Sequence, residues 1–254
     1  MSAQKKTNQT GKIHPLFWII PAALLIAAAL FFTLILPAIQ RSRAEQSVFE
    51  EPQMPFDVPG FSMLDNVSGS TFDNGLQVLC VGTYTGAYLE DGSDEQIRDV
   101  LSLVVRNNTD SLVEYGCIEL PCGKSSAFFE FSGLPARSSV LVQEKTRMIW
   151  KNSLKPSKAV CTEVALPVDL VFDFDTDFRL YPSDGVINAE NISETDFTQD
   201  VSVFYKNFEF GLFMGGITYR ARFSGGISSG AMAQSLQKHY KTDTSAILYM
   251  SYGE

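Results

Sequence analysis

The sequence is short of the groups that carry most hydrolytic chemistry. Among 254 residues there are two histidines, His14 and His239, and four cysteines. His14 borders a long apolar run, so a Ser-His-Asp or Cys-His centre would have to be built on His239. No nucleophile elbow or oxyanion-hole motif stands near that residue. The expectation is a chain with no catalytic residues and no cofactor, and His239 as a solvent-facing or half-packed imidazole beside Tyr240. Charge is missing on one side as well. No Asp or Glu precedes Ala44, where the ionisable groups are Lys5, Lys6, Lys12, Arg41 and Arg43. All 29 acidic residues therefore face the remaining 15 basic ones, a net charge of −14 after Arg43. Such a surface repels phosphate backbones and anionic headgroups, which excludes nucleic acid as a partner. It reads as the solubilising coat of a secreted domain.

What the chain does have is one long apolar run. Leu16 to Ile39 reads LFWIIPAALLIAAALFFTLILPAI without an ionisable side chain. As a helix it is about 36 Å long, enough to cross a hydrocarbon core of about 30 Å with some tilt. Pro21 and Pro37 sit near its ends, where a missing hydrogen bond is most easily tolerated. The basic residues before it outnumber those after it, which favours a cytoplasmic N-terminus and a body outside the cytoplasm. A cleaved signal peptide is the alternative, but the run exceeds a typical h-region and no small-x-small site ends it. The segments expected are a cytoplasmic stub (1–12), a transmembrane signal anchor (13–40) and a stalk (41–60) stiffened by Pro52, Pro55 and Pro59.

From Phe61 onward the hydrophobic period is two, broken by Gly, Asn and Asp. Leu76–Tyr84, Val100–Val105, Leu112–Leu120, Ala127–Phe131, Val140–Val142 and Arg147–Trp150 read as strands. Glu90–Asp99 reads as an exposed acidic loop turning at Asp91-Gly92. Ala231–Lys241 fits helix or strand by pattern alone. An internal echo favours strand: Phe131-Ser132-Gly133-Leu134-Pro135-Ala136 returns as Phe223-Ser224-Gly225-Gly226-Ile227-Ser228, and Asn107-Asn108-Thr109-Asp110 as Asn191-Ile192-Ser193-Glu194. The correspondence sets Ala231–Leu236 against Ser139–Glu144. The fold expected is mainly β, two tandem Ig-like β-sandwich units (61–155 and 156–254) behind one N-terminal transmembrane helix. The cut falls in the link between Pro156 and Pro167.

Few constellations carry chemistry. Asp173, Asp175, Asp177 and Asp184 copy the ligand spacing of an EF-hand loop, but Phe178 stands where the loop needs glycine. No metal is expected. The same run alternates, with Phe172, Phe174 and Phe178 inward and the aspartates outward, as an amphipathic strand does. Cys80, Cys117, Cys122 and Cys161 permit two disulfides with three connectivities, or remain buried thiols. Asn66, Asn107 and Asn191 head glycosylation sequons, which are read here as turn chemistry.

VVRNNTDSLVEYGCIEL (104–120) followed by FEFSGLPARSSVLVQE (129–144) resembles the extracytoplasmic Ig-like modules of the FxLYP kind. In these a strand ends in Asn-Asn-Thr/Ser-Asp, and a Leu-Pro-Ala/Gly turn leads into the last hairpin. Phe178-Arg179-Leu180-Tyr181-Pro182 matches the name literally. The layout, including TYTGAYLEDGSDE and MGGITYRARFSGGISSG, is similar to single-span surface proteins of Gram-positive anaerobic bacteria. The resemblance implies no catalytic residues. The function expected is a membrane-anchored binding or scaffolding module of the cell envelope, engaging a protein or glycan partner through strand edges or loops. The alternative is an accessory subunit of a larger membrane complex, with Ala22-Ala23 and Ala27-Ala28-Ala29 packing the span against other helices.

Overall fold

A run such as Val100–Val105, apolar but for Ser102, can rest in a sheet only where both faces are covered. The computed structural model places it there. The structure describes residues 57–65, 69–165 and 174–253. The stub, the expected span over Leu16–Ile39, the stalk up to residue 56, His14, Asn66 and Asp173 lie outside the described residues. Among the described residues the chain is mainly β, with no helix and none long and apolar enough to cross a membrane.

The strands are β1 (Phe61–Met63), β2 (Ser70–Thr71), β3 (Leu76–Ala87), β4 (Gln96–Asn107), β5 (Val113–Cys122), β6 (Ser125–Leu134), β7 (Ser139–Gln143), β8 (Val160–Ala165), β9 (Phe178–Ser183), β10 (Val186–Asn191), β11 (Val201–Glu209), β12 (Leu212–Phe223), β13 (Met232–Leu236) and β14 (Ser245–Tyr252). One large sheet runs β1-β3-β4-β7-β12-β11-β14, with β2 added to β3. Two three-stranded sheets, β6-β5-β8 and β13-β10-β9, pack on it in the manner of β-sandwiches.

The strand order repeats. In the first half β3-β4-β7 faces β6-β5-β8, and in the second β9-β10-β13 faces β12-β11-β14. The halves meet where β7 pairs with β12 in parallel, Val140 with Phe213 and Leu141 with Met214. Each half has its own core. Leu76, Leu101, Leu103, Ile118, Phe129, Phe131 and Val142 fill the first, and Phe178, Ile187, Val203, Tyr205, Ala221 and Met250 the second. A third cluster, with Cys80, Val104, Leu141, Leu212 and Met214, covers the other face of the large sheet at the junction. That is why the middle strands β4 and β7 are apolar on both faces.

The same turn closes both halves. Asn107 is fully buried at the end of β4, and its Nδ2 donates to the carbonyls of Ser111, Leu134 and Pro135. Its Oδ1 accepts from Thr109 N–H and Oγ1. Asn191, also fully buried at the end of β10, donates to Thr195 and Ile227 and accepts from Ser193 N–H and Oγ. The repeated Asn-x-Ser/Thr is thus a plug that satisfies the buried carbonyls of Leu134 and Ile227 and ties down the turn that follows each strand. Neither amide is open to a glycan in this fold.

Four expectations change. Arg147–Trp150 is not a strand: Arg147 takes φ +60°, and Ile149 alone forms an isolated bridge, to Val100. Phe174–Asp177 is a turn, with the Asp177 and Phe178 N–H groups donating to the Phe174 carbonyl, so the strand begins only at Phe178. Asp-Thr-Asp offers the local side-chain bonding that favours turns over ladders. β8 lies beyond Pro156, yet it pairs with β5 and completes the first half. Gln96–Asp99 belongs to β4 rather than to a loop; Asp91 and Ser93–Glu95 are exposed as expected, while the Glu90 carboxylate turns inward at the junction of the halves.

Candidate functional site

The junction between the halves is where the backbone departs furthest from a regular ladder. Opposite Lys206, β12 bulges through Gly215–Thr218, and pairing with β11 resumes at Asn207 and Met214. Two glycines make this possible. Gly215 takes φ +82°, and a β-carbon on Gly216 would collide with the Glu130 carbonyl. The bulge turns carbonyls inward. Lys206, fully buried, donates to those of Gly216 (2.8 Å), Ile217 (2.7 Å) and Ser132 (3.2 Å). Three acceptors match the three hydrogens of the ammonium form.

The counter-charge comes from the other half. Glu90 sinks its carboxylate into the junction, where it accepts from the N–H groups of Gln143 (2.7 Å) and Gly216 (2.5 Å). Burial pushes the Glu90 carboxyl above its ordinary value and the Lys206 ammonium below its own, and each group's charge opposes the other's shift. Gln143 is buried beside them, bonding the Leu89 N–H and the Ala87 carbonyl. The acidic connection between β3 and β4 is therefore a clasp. Its outer turn is held by Arg147, which bonds Glu95 (2.6 Å) and Asp91 (2.9 Å) and lies 4.3 Å over the Tyr88 ring. The Tyr88 hydroxyl donates to the Lys145 carbonyl at 2.9 Å.

Above the clasp opens a cavity of about 490 Å³, a volume ordinary for small-ligand sites. Tyr88, Tyr115, Phe131 and Ile217 supply apolar wall, while Glu130, Lys145, Arg147 and Ser132 supply polar groups. The charges are matched in place. Lys145 bonds Glu130 at 2.6 Å, and Arg147 is held as above. Burial first, then the Glu130 charge, pushes the Tyr115 hydroxyl up to about 12, so it stays a neutral donor.

The residues singled out from sequence are not gathered here. Asp175 and Asp177 lie in the turn before β9, and Asp184 lies beyond its far end, accepting from Thr242 N–H and Oγ1. Six strand residues separate them, about 20 Å. No group of metal-ligating side chains forms among the described residues. The four cysteines are free thiols. Cys80 lies in the third cluster, Cys122 and Cys161 on the first core and Cys117 across from Glu163, so none is set opposite another. Burial pushes the Cys80 thiol up to about 12. His239 stacks on Tyr219 (4.8 Å), not Tyr240, with Nδ1 3.6 Å from Asp94; burial lowers its pKa and Asp94 partly restores it.

Glu90, Gln143, Arg147 and Lys206 gave no signal in the sequence. Lys206 sits at a position whose side chain alternation assigns to solvent. The one available pointer was Gly215-Gly216 inside an alternating strand, which marks a bulge or a close backbone approach. No protein-family model, no curated protein and no solved structure matches the chain.

Proposed function

We propose that the chain is a membrane-anchored extracytoplasmic binding module of the cell envelope, built from two Ig-like units and acting without catalysis. Its ligand site is the cavity at the junction, and its ligand a neutral, hydroxyl-rich glycan. The observation that carries this reading is the pairing of charges around the cavity. An anionic or cationic ligand would have to break Lys145–Glu130 or Arg147–Asp91, whereas a hydroxyl can add a bond to groups that already hold one. Tyr115, only partly covered, offers ring surface for the C–H face of a sugar. The same commitments argue for binding over turnover, since the carboxylates and cations around the cavity are engaged with one another. The repeated strand order supports the tandem Ig-like reading, and the Leu16–Ile39 run supports the anchor.

Calorimetric titration of the full-length chain in detergent micelles with neutral envelope oligosaccharides tests this. Saturable binding abolished by Tyr115→Ala and weakened by Glu130→Gln is expected. Binding indifferent to both changes, or absent across the series, refutes it.

A further inference from the structure

Strand β13 is the second-half counterpart of β7, and the fates of their outer edges differ. In both, the preceding residue accepts from the plug asparagine: Ser138 from Asn107 N–H, Ala231 from Asn191 N–H. That fixes which backbone groups face inward. The Ala231 carbonyl and the backbone groups of residues 233 and 235 face β10, as does the Gln237 N–H, which donates to Gly185. By alternation, Met232, Gln234 and Leu236 present theirs to the open edge. In β7 the equivalent groups are taken. Leu141 pairs with Met214 of β12, and the Gln143 N–H donates to Glu90. Among the described residues nothing pairs with the outer edge of β13.

This edge also lacks the usual protection. Met-Ala-Gln-Ser-Leu contains no charge, proline or glycine. The opposite edge of the same small sheet, β9, carries Arg179 and Pro182. Met232 and Leu236 are 59% and 76% exposed on the outward face, with Gln234 between them. We propose that β13 is a contact between two copies of this chain, paired antiparallel about a two-fold axis through Gln234. The register is self-complementary. Gln234 meets Gln234, and each Met232 meets the other copy's Leu236. All three are positions whose N–H and C=O face the edge, so the ladder closes with every group paired. No like charges are set opposite one another. The result is a continuous six-stranded sheet, β9-β10-β13 followed by its two-fold mate. A five-residue edge buries less than the roughly 1,200 Å² of a standard interface, so the contact is weak in dilute solution and strengthens when copies share a surface.

Oxidative crosslinking of the full-length chain in native membranes and in detergent micelles tests the contact, in a Cys161→Ser background. A hydrogen-bonded antiparallel pair sets Cα atoms about 5.5 Å apart, within disulfide reach. Gln234→Cys should give a covalent homodimer at least about tenfold faster than Tyr181→Cys, which the two-fold places five strand spacings, about 24 Å, from its mate. Adding Leu236→Lys to Gln234→Cys sets an ammonium against the other copy's Met232 and should slow dimer formation about tenfold. Equal rates at positions 234 and 181, or indifference to Leu236→Lys, overturn the proposal. If the Gln234→Cys variant captures a different protein in membranes and gives no homodimer when purified, that also overturns it and assigns the edge to that protein.

Discussion

Replacing Lys206 with methionine tests the account of the junction most sharply. The change keeps most of the length of the side chain and removes its charge. Three buried carbonyls, of Gly216, Ile217 and Ser132, lose their donor, and Glu90 keeps a buried carboxylate without its cation. Orphaning the buried carbonyls beside a carboxylate that also loses a nearby cation costs about 3–5 kcal/mol. Against a total stability of about 5–15 kcal/mol, that is a large share. At about 2–4 °C per kcal/mol for a domain of this size, Tm should fall by about 6–20 °C. Urea unfolding followed by far-UV circular dichroism gives the loss, and fluorescence of Trp150, which packs against the first core, reports that half separately. Hydrogen exchange gives the local signature: the Gln143 and Gly216 amides, which both donate to Glu90, should lose protection first. Combining Lys206→Met with Glu90→Gln removes the stranded charge, so the double variant should be more stable than the sum of the single losses by at least about 1 kcal/mol. A loss below about 1 kcal/mol for Lys206→Met, or strict additivity with Glu90→Gln, refutes the charge-pair reasoning.

Other consequences are testable in the same way. Asn107→Ala and Asn191→Ala should each cost about 2–4 kcal/mol in urea titrations, because buried carbonyls lose their only side-chain donor. Asn107 serves three carbonyls and Asn191 two, so the Asn107 variant should be the less stable. The His239 imidazole has its pKa lowered by burial, so the unfolded chain binds its proton more tightly. This group therefore leaves stability intact above its unfolded value of about 6.5 and lowers it as pH falls from there towards the folded value. Melting curves between pH 5 and 8 should show that component vanish in His239→Gln, and an unchanged pH slope would contradict the packing on Tyr219. With four free thiols, reductant should leave Tm unmoved within about 2 °C. Loss of a structural disulfide would lower it by several times that.

The parts of this protein that local pattern decides were readable in advance. Alternation within the Ala127–Phe131 strand sets Ala127, Phe129 and Phe131 on one face, and each is buried. The same alternation sets Glu130 on the opposite face, and Arg222 likewise in the matching strand, where they meet Lys145 and Asp200. The echo of Asn107 in Asn191 reflected one hydrogen-bonding plug used twice, and it placed β13 as a strand where periodicity was silent. These features depend on residues close in sequence, or on which side of a strand a side chain leaves. The junction does not. Glu90 and the Gly216 amide it accepts from are 126 positions apart, and Lys206 reads as an ordinary solvent-facing lysine until the bulge in β12 aims carbonyls at it. Within the Glu90–Glu95 acidic run Asp91, Asp94 and Glu95 are exposed as read, but Glu90 turns inward, and the cations that answer the run, Arg147 and Lys206, are brought near only by the fold. Sequence settles which face of each strand is apolar, because that is a property of the strand. Which edge meets which, and hence where a cavity and a buried charge pair arise, depends on the packing of one half against the other.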